Sequence, residues 1–326
     1  MFKAQFVAGE ISGLPYQHAS SIIRLRNGDL LCAWYAATEE KNADQRIVLA
    51  RLAAGLSDWS RPEMIVPGNL AQGNPVLYQH GDGRVWLIYV DMVLPENWEK
   101  CRVYILHSED NGATWGDRRT LVEFLGYMPR NHPLCLSDGS VVLPLYDERQ
   151  GRSVFLITSD GGETWELGGD IITEPGNEQA TLAQLSDGSL VAFMRTRRPD
   201  GYIWQARSFN GGWHWTPAVE TAFPNPDADT ELIQLSNGHL LLVFNNSGSL
   251  RTPLSVALST DEASSWSTIA HLETEPGQYD YPSAVVGVNG LVHLTYSWHN
   301  HERIKHIAFD EAWVLEHGSV LAGGQG

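Results

Sequence analysis

Six times along the chain an Asn-Gly or Asp-Gly pair sits between two apolar runs: RLRNGDLLCAW, QHGDGRVWLIY, CLSDGSVVLPL, QLSDGSLVAFM, QLSNGHLLLVF and GVNGLVHLTY. Their glycines, Gly28, Gly83, Gly139, Gly188, Gly238 and Gly290, are spaced 49 to 56 residues apart. Such a pair accepts positive φ at both central positions of a type I′ turn. Between apolar and β-branched residues it is the strongest short hairpin signal. An octapeptide recurs with the same period: SEDNGATW (108–115), TSDGGETW (158–165), SFNGGWHW (208–215) and STDEASSW (259–266), with a worn copy, AGLSDWS, around Trp59. One period therefore holds two strands joined by a tight turn, a third strand, the octapeptide and a fourth strand. That is a four-stranded antiparallel blade. Six such blades closing radially predict an all-β, six-bladed β-propeller over residues 1–326 as one domain. The last period has a third strand, RIKHIAF, but no octapeptide, so its outer strand is expected from the N-terminal KAQFVA.

The octapeptide reads as a corner. Its Asp or Asn and glycines turn the chain between third and fourth strands, its Ser or Thr and Asp bond nearby amides, and its Trp packs. A metal loop would need a richer, more regular set of carboxylates. Net charge is −17, which excludes a cationic footprint for nucleic acid. An anionic substrate would need local positive charge. Three cysteines, Cys32, Cys101 and Cys135, are too far apart to frame a disulfide set or zinc site. No apolar run reaches the ~18 residues of a membrane span. The opening MFKAQFVAGEISG has no apolar leader core, so a cytoplasmic location is expected.

Inner strands of a propeller begin at one face, and the turns lie at the other. Counting seven to eleven residues back from each turn glycine gives Gln17, His18, Asn74, Arg130, Asn131, His132, Asn177, Glu178, Asp229, Glu231, Tyr279 and Tyr281. Counting forward adds Tyr35, Asp147 and Arg195, and third-strand starts add Asp44, Arg46 and Arg251. Convergent polar groups on a concave face mark the default ligand site.

The octapeptides resemble the Asp-boxes of the sialidase (neuraminidase) superfamily, six-bladed propellers in which they are structural turns. NEQATLAQLSDGSLVAFMRT resembles the pattern in which a Glu opens an inner strand and an Arg closes the next. The resemblance implies a retaining exo-glycosidase that releases terminal sialic acid or a related sugar without a cofactor. It makes Tyr281 the nucleophile, Tyr279 its rival, Glu178 the base that activates it and Asp44 the acid/base. Arg195 and Arg251 become two of three arginines that hold a substrate carboxylate. A neutral phenol suits a substrate whose own carboxylate would repel a carboxylate nucleophile.

The third arginine is missing. The family opens its first inner strand with an Arg-Ile-Pro-like segment; here it is LPYQHASSI, with Gln17 or His18 at the place of the arginine. Losing charge-assisted bonds worth about 1.5–3 kcal/mol each weakens a carboxylate clamp unless Arg130 or Arg46 substitutes. His18 suits a sugar hydroxyl, and His132 lies in the same convergent set. A close variant keeps the propeller and uses Glu178 with Glu231 or Asp229 as a carboxyl pair on another sugar. A lyase using His18 or His132 with a tyrosine, and a carbohydrate-binding propeller without catalysis, complete the readings. The run HNHERIKH (299–306) is weighed as a metal cluster and set aside, because His306 lies within the next strand.

Overall fold

Twenty-six strands alternate along the chain in a computed structural model that describes residues 1–93 and 97–321. They form six antiparallel sheets, five of them ordered outward from the axis in chain order and the sixth ending in the N-terminal strand. The inner strands are Tyr16–Arg24, Ala71–Gln79, Tyr127–Pro129 with Leu134–Cys135, Asn177–Gln184, Glu231–Gln234 and Asp280–Val286. The third is interrupted over residues 130–133, where Pro133 brings no N–H to the ladder. The chain is a six-bladed β-propeller. As expected, the sixth blade is completed by Phe2–Phe6, which pairs with Arg303–Phe309 from Phe2 opposite Phe309 to Phe6 opposite Lys305.

The six turns differ from the type I′ expected. In each, the glycine N–H bonds the carbonyl three residues back, as Gly188 to Leu185 at 2.9 Å, and the glycine has positive φ while the Asn or Asp before it does not. This is a type I turn closed by a left-handed glycine, the three-residue relative of the expected turn. Gly188 has φ +84° and open space where a Cβ would sit. Gly188→Ala is therefore expected to cost only the backbone penalty, about 1–2 kcal/mol, read as a lower denaturation midpoint. An unchanged midpoint would contradict this account of the turn.

The octapeptides are the corners expected. In the first, Gly112 N–H donates to Ser108 Oγ at 2.7 Å, Thr114 N–H to Asp110 Oδ1 at 2.8 Å and Thr114 Oγ1 to Asp110 Oδ2 at 2.6 Å. These donors, the Thr114 hydroxyl first, hold the Asp110 carboxyl down at about 2. Each Trp packs toward the preceding blade: Trp165 on Trp86 with centroids 5.7 Å apart, Trp215 on Phe155 at 4.5 Å and Trp266 on Phe193 at 5.8 Å. Around the axis, side chains of one inner strand take an amide proton of the next. Ser21 accepts from Leu77, Thr181 from Leu232, Glu231 from Ala284 and Ser283 from Ile22, at 2.9–3.1 Å.

Two features lay outside the strand reading. A helix, Glu311–His317, is capped by Asp310, whose side chain accepts from Trp313 N–H. It returns the chain so that Ser319–Val320 adds a fifth strand to the fifth blade. In the sixth blade, His306 Nδ1 lies 3.3 Å from Trp59 Nε1 and 3.4 Å from Gln5 Nε2, both donors, and His306 Nε2 lies 3.0 Å from His293 Nδ1. Burial pushes the His306 imidazole down to about 3. The neutral ring supports the fold fully above the unfolded value near 6.5, and that support is lost as pH falls from there toward 3. Stability at pH 4.5 is expected to be roughly 2–3 kcal/mol below that at pH 7.5, measured by urea unfolding, and His306→Phe should flatten the difference.

Candidate active site

At the face where the inner strands begin, four of them carry the same irregularity. Pairing slips between His18 and Ser21, Gly73 and Val76, Glu178 and Thr181, and Asp280 and Ser283. Within each slip one non-glycine residue is left-handed: Ala19, Asn74, Gln179 and Tyr281, with φ between 45° and 56°. Each stands nine residues before its turn glycine. A bulge re-aims side chains, and a tyrosine held left-handed is the kind of strain that functional sites retain.

The bulges frame a cavity of about 210 Å³ on the axis, and Glu178, Arg195, Arg251, Tyr281 and His18 all line it. The partners of Tyr281 Oη are Arg195 Nη1 and Gln179 Nε2, each at 3.1 Å. Gln179 Oε1 accepts from Arg195 at 3.0 Å, which fixes the amide with its NH₂ toward the phenol. Two donors face the phenol oxygen, so its own proton is left for a ligand. Burial raises the Tyr281 pKa against the pull of Arg195 and Arg251, and the group stays a phenol. An amide cannot take that proton. The expected pairing of Tyr281 with Glu178 is therefore replaced by Tyr281 with Gln179.

Glu178, which also lines the cavity, contacts two arginines and not the phenol. Its oxygens lie 3.3 Å from Arg195 Nη2 and 3.1 Å from Arg197 Nε. Burial pushes its carboxyl up to about 7, with the neighbouring Glu148 adding to the rise against Arg195 and Arg197. Burial also raises Glu148, which shares the cavity. Arg195 Nη2 further contacts Asp227 Oδ1 at 2.8 Å. Arg251 is paired with buried Asp280 and donates to the Asp227 carbonyl at 3.0 Å. Burial would raise Asp280, but Arg251 and His301 outweigh it and hold the carboxylate well below its usual range.

His18 reaches the cavity, while Gln17 is turned away. Its amide binds Glu302 O at 3.2 Å and accepts from Trp34 Nε1 at 3.1 Å. Burial, aided by His301, drives the His18 pKa far down and leaves the ring uncharged. No third arginine replaces the missing one among the described residues of the cavity lining. Arg130 is buried under the Tyr281 ring, tied to Asp229 at 2.6 Å and to two backbone carbonyls. Arg46 bonds the carbonyls of Ala43, Gln45 and Leu70.

Other expected residues lie elsewhere. Asp44 bonds the Thr38 amide at 3.3 Å and is not in the lining; Glu40 and Lys41 of the same loop are. A loop's shape is not written in strand periodicity, so which carboxylate of this loop reaches the cavity is not fixed by counting. Tyr279 is in the core, its carbonyl bonded by Asn245. His132 and Glu231 form a pair 3.2 Å apart that lines a second cavity of about 200 Å³, beyond the belt of Ser21, Thr181 and Ser283. Asp229 is the partner of Arg130, so neither Asp229 nor Glu231 joins Glu178. Of the HNHERIKH run, only His301 joins the cavity. Its ligating nitrogen, with those of His18 and a carboxylate oxygen of Asp280, lies within a 4.8 Å cluster, and the Arg251 charge on Asp280 opposes a cation there. Gln179 and Glu148 were missed. The signal for Gln179 was its place nine residues before a turn glycine, the same as that of Tyr281.

Residues 28–294 match the BNR repeat-like domain family. The chain is similar to an anhydrosialidase of Macrobdella decora, 26% identical over 124 residues, which are 35% of this chain and 16% of that protein. Its fold is similar to that of a protein of unknown function from Dyadobacter fermentans, with a TM-score of 0.78 at 19% identity, covering 94% of this chain and 98% of that one. It is also similar to that of the Hadza microbial sialidase Hz136, with a TM-score of 0.80 at 15% identity, covering 95% and 69%. The repeat, the closed ring of six blades and the match across most of its length place this chain in the BNR repeat-like domain family, with a propeller of sialidase type.

Proposed function

We propose that the chain is an exo-acting glycosidase that binds a terminal sugar in the axial cavity and cleaves its glycosidic bond. One observation carries this reading: two carboxyls, the buried Glu178 and the half-buried Glu148, line one cavity with Arg195, Arg251 and Tyr281. Two neighbouring acids that raise each other's pKa titrate apart, so that one keeps its proton while the other gives it up. Glu178 is the proton donor to the leaving oxygen. Glu148 takes a proton from the attacking water. Tyr281 and the arginines hold ring and hydroxyl oxygens, and Trp98 offers an apolar wall. The retaining route through a tyrosine nucleophile is less well supported, because Gln179 stands where a base would be required. That same observation favours a second reading, a propeller that binds a sugar and does not turn it over.

A panel of aryl glycosides that includes a sialoside separates the two. Release of the phenol from at least one member supports the glycosidase. Sugar binding by calorimetry without release from any member supports the binder.

A further inference from the structure

Each arginine that lines the cavity already carries carboxylate from this chain. Arg195 Nη2 stands between Glu178 Oε2 at 3.3 Å and Asp227 Oδ1 at 2.8 Å. Arg251 is paired with Asp280 and also bonds the Asp227 carbonyl at 3.0 Å. Asp227 thus bridges the two with its side chain and its backbone. The bridge is held in place locally. Asn225 closes the turn around it, accepting from Ala228 N–H at 3.1 Å and donating to Ala228 O at 2.7 Å, and Asp227 itself is left-handed at φ +58°. A non-glycine residue keeps that backbone only where its surroundings over-determine it. At the position where a third cation was expected stands His18, a buried ring beside Asp280.

The balance of charge follows. Lys41, Arg195 and Arg251 line the cavity together with Glu40, Glu148 and Glu178, and Asp227 and Asp280 sit directly on the arginines. An entering carboxylate would find Lys41, set over the Trp98 ring, as the one cation of the described lining without a carboxylate partner, and would share Arg195 with the Asp227 carboxylate and the Glu178 carboxyl. A sugar hydroxyl meets no such repulsion, since it can both accept from a guanidinium and donate to a carboxylate. We infer that Asp227 sets the substrate class: it serves the Arg195–Arg251 pair as an internal carboxylate, and the site takes a terminal sugar that bears hydroxyls and no carboxylate at that point. This rests on the glycosidase reading and narrows it.

The test is calorimetric binding of neutral methyl glycosides (galactose, glucose, N-acetylglucosamine, fucose, arabinose, rhamnose) and of methyl N-acetylneuraminide. It uses the wild-type chain, Asp227→Asn and Asp227→Gly. Glycine accepts the left-handed backbone, so the second variant removes the charge without strain. Wild type is expected to bind a neutral glycoside in preference to the sialoside. In both variants the ratio of sialoside to neutral affinity should rise about tenfold or more, as expected when a charge-assisted bond becomes free. Preferential binding of the sialoside by wild type, or an unmoved ratio in both variants, overturns the inference and leaves the glycosidase reading standing. Binding of no glycoside removes both.

Discussion

Replacing Glu178 by Gln is expected to lower turnover by about 10²–10⁴-fold, the usual contribution of a positioned acid, with a much smaller change in sugar affinity. The substitution keeps shape and keeps a hydrogen-bonding head toward Arg195 and Arg197. It removes only the proton that the leaving oxygen needs. The pH dependence follows from the same group. Glu178 sits at about 7, so wild-type turnover should fall as pH rises through that value, and the Gln variant should have lost that limb. Stability moves in the same direction. A carboxyl whose folded pKa is raised favours the fold below its unfolded value near 4.5 and loses that contribution as pH climbs through 7. Full turnover in Glu178→Gln would assign the proton to another group, and Glu40 would be the first to examine.

The second large effect is structural. Trp266 is 2% exposed and packs edge-on against Phe193 and Phe223, with centroids 5.8 and 5.4 Å away. Trp266→Ala should cost about 3–5 kcal/mol, because the space lies between two rigid sheets that cannot collapse into it. Trp213, two-fifths exposed, is the control, and its replacement by Ala should change stability by less than about 1 kcal/mol. Equal losses at the two positions would remove the octapeptide Trp from its role as the packing link between blades. Urea midpoints at constant slope report the difference.

Periodicity made the architecture legible. A repeated turn and a repeated corner, both at about fifty residues, leave few folds besides a ring of equal sheets. The turn type was harder, since the same Asn-Gly pair serves a turn with two left-handed residues or one. The short helix after Phe309 follows no repeat, and its one signal was Asp310 before EAWVLEH. In the site, Glu178, Arg195, Arg251 and Tyr281 do converge, because strand ends can be counted from a turn. Simple alternation along a strand then failed at the bulge. There an extra residue brings Gln179 to the phenol and turns Glu178 toward Arg197. A one-residue irregularity reassigned the chemistry while leaving the fold unchanged.

The pairing of residues 2–6 with 303–309 has a consequence for biosynthesis. Until the ribosome has released the partner of its first strand, the nascent protein is an open arc. Its first and last sheets lack neighbours, and the N-terminal segment has no mate. Such an arc offers unpaired edges and apolar flanks to other chains for as long as synthesis continues. Early termination anywhere before the sixth blade should therefore yield a sticky crescent that needs chaperones, rather than a smaller wheel.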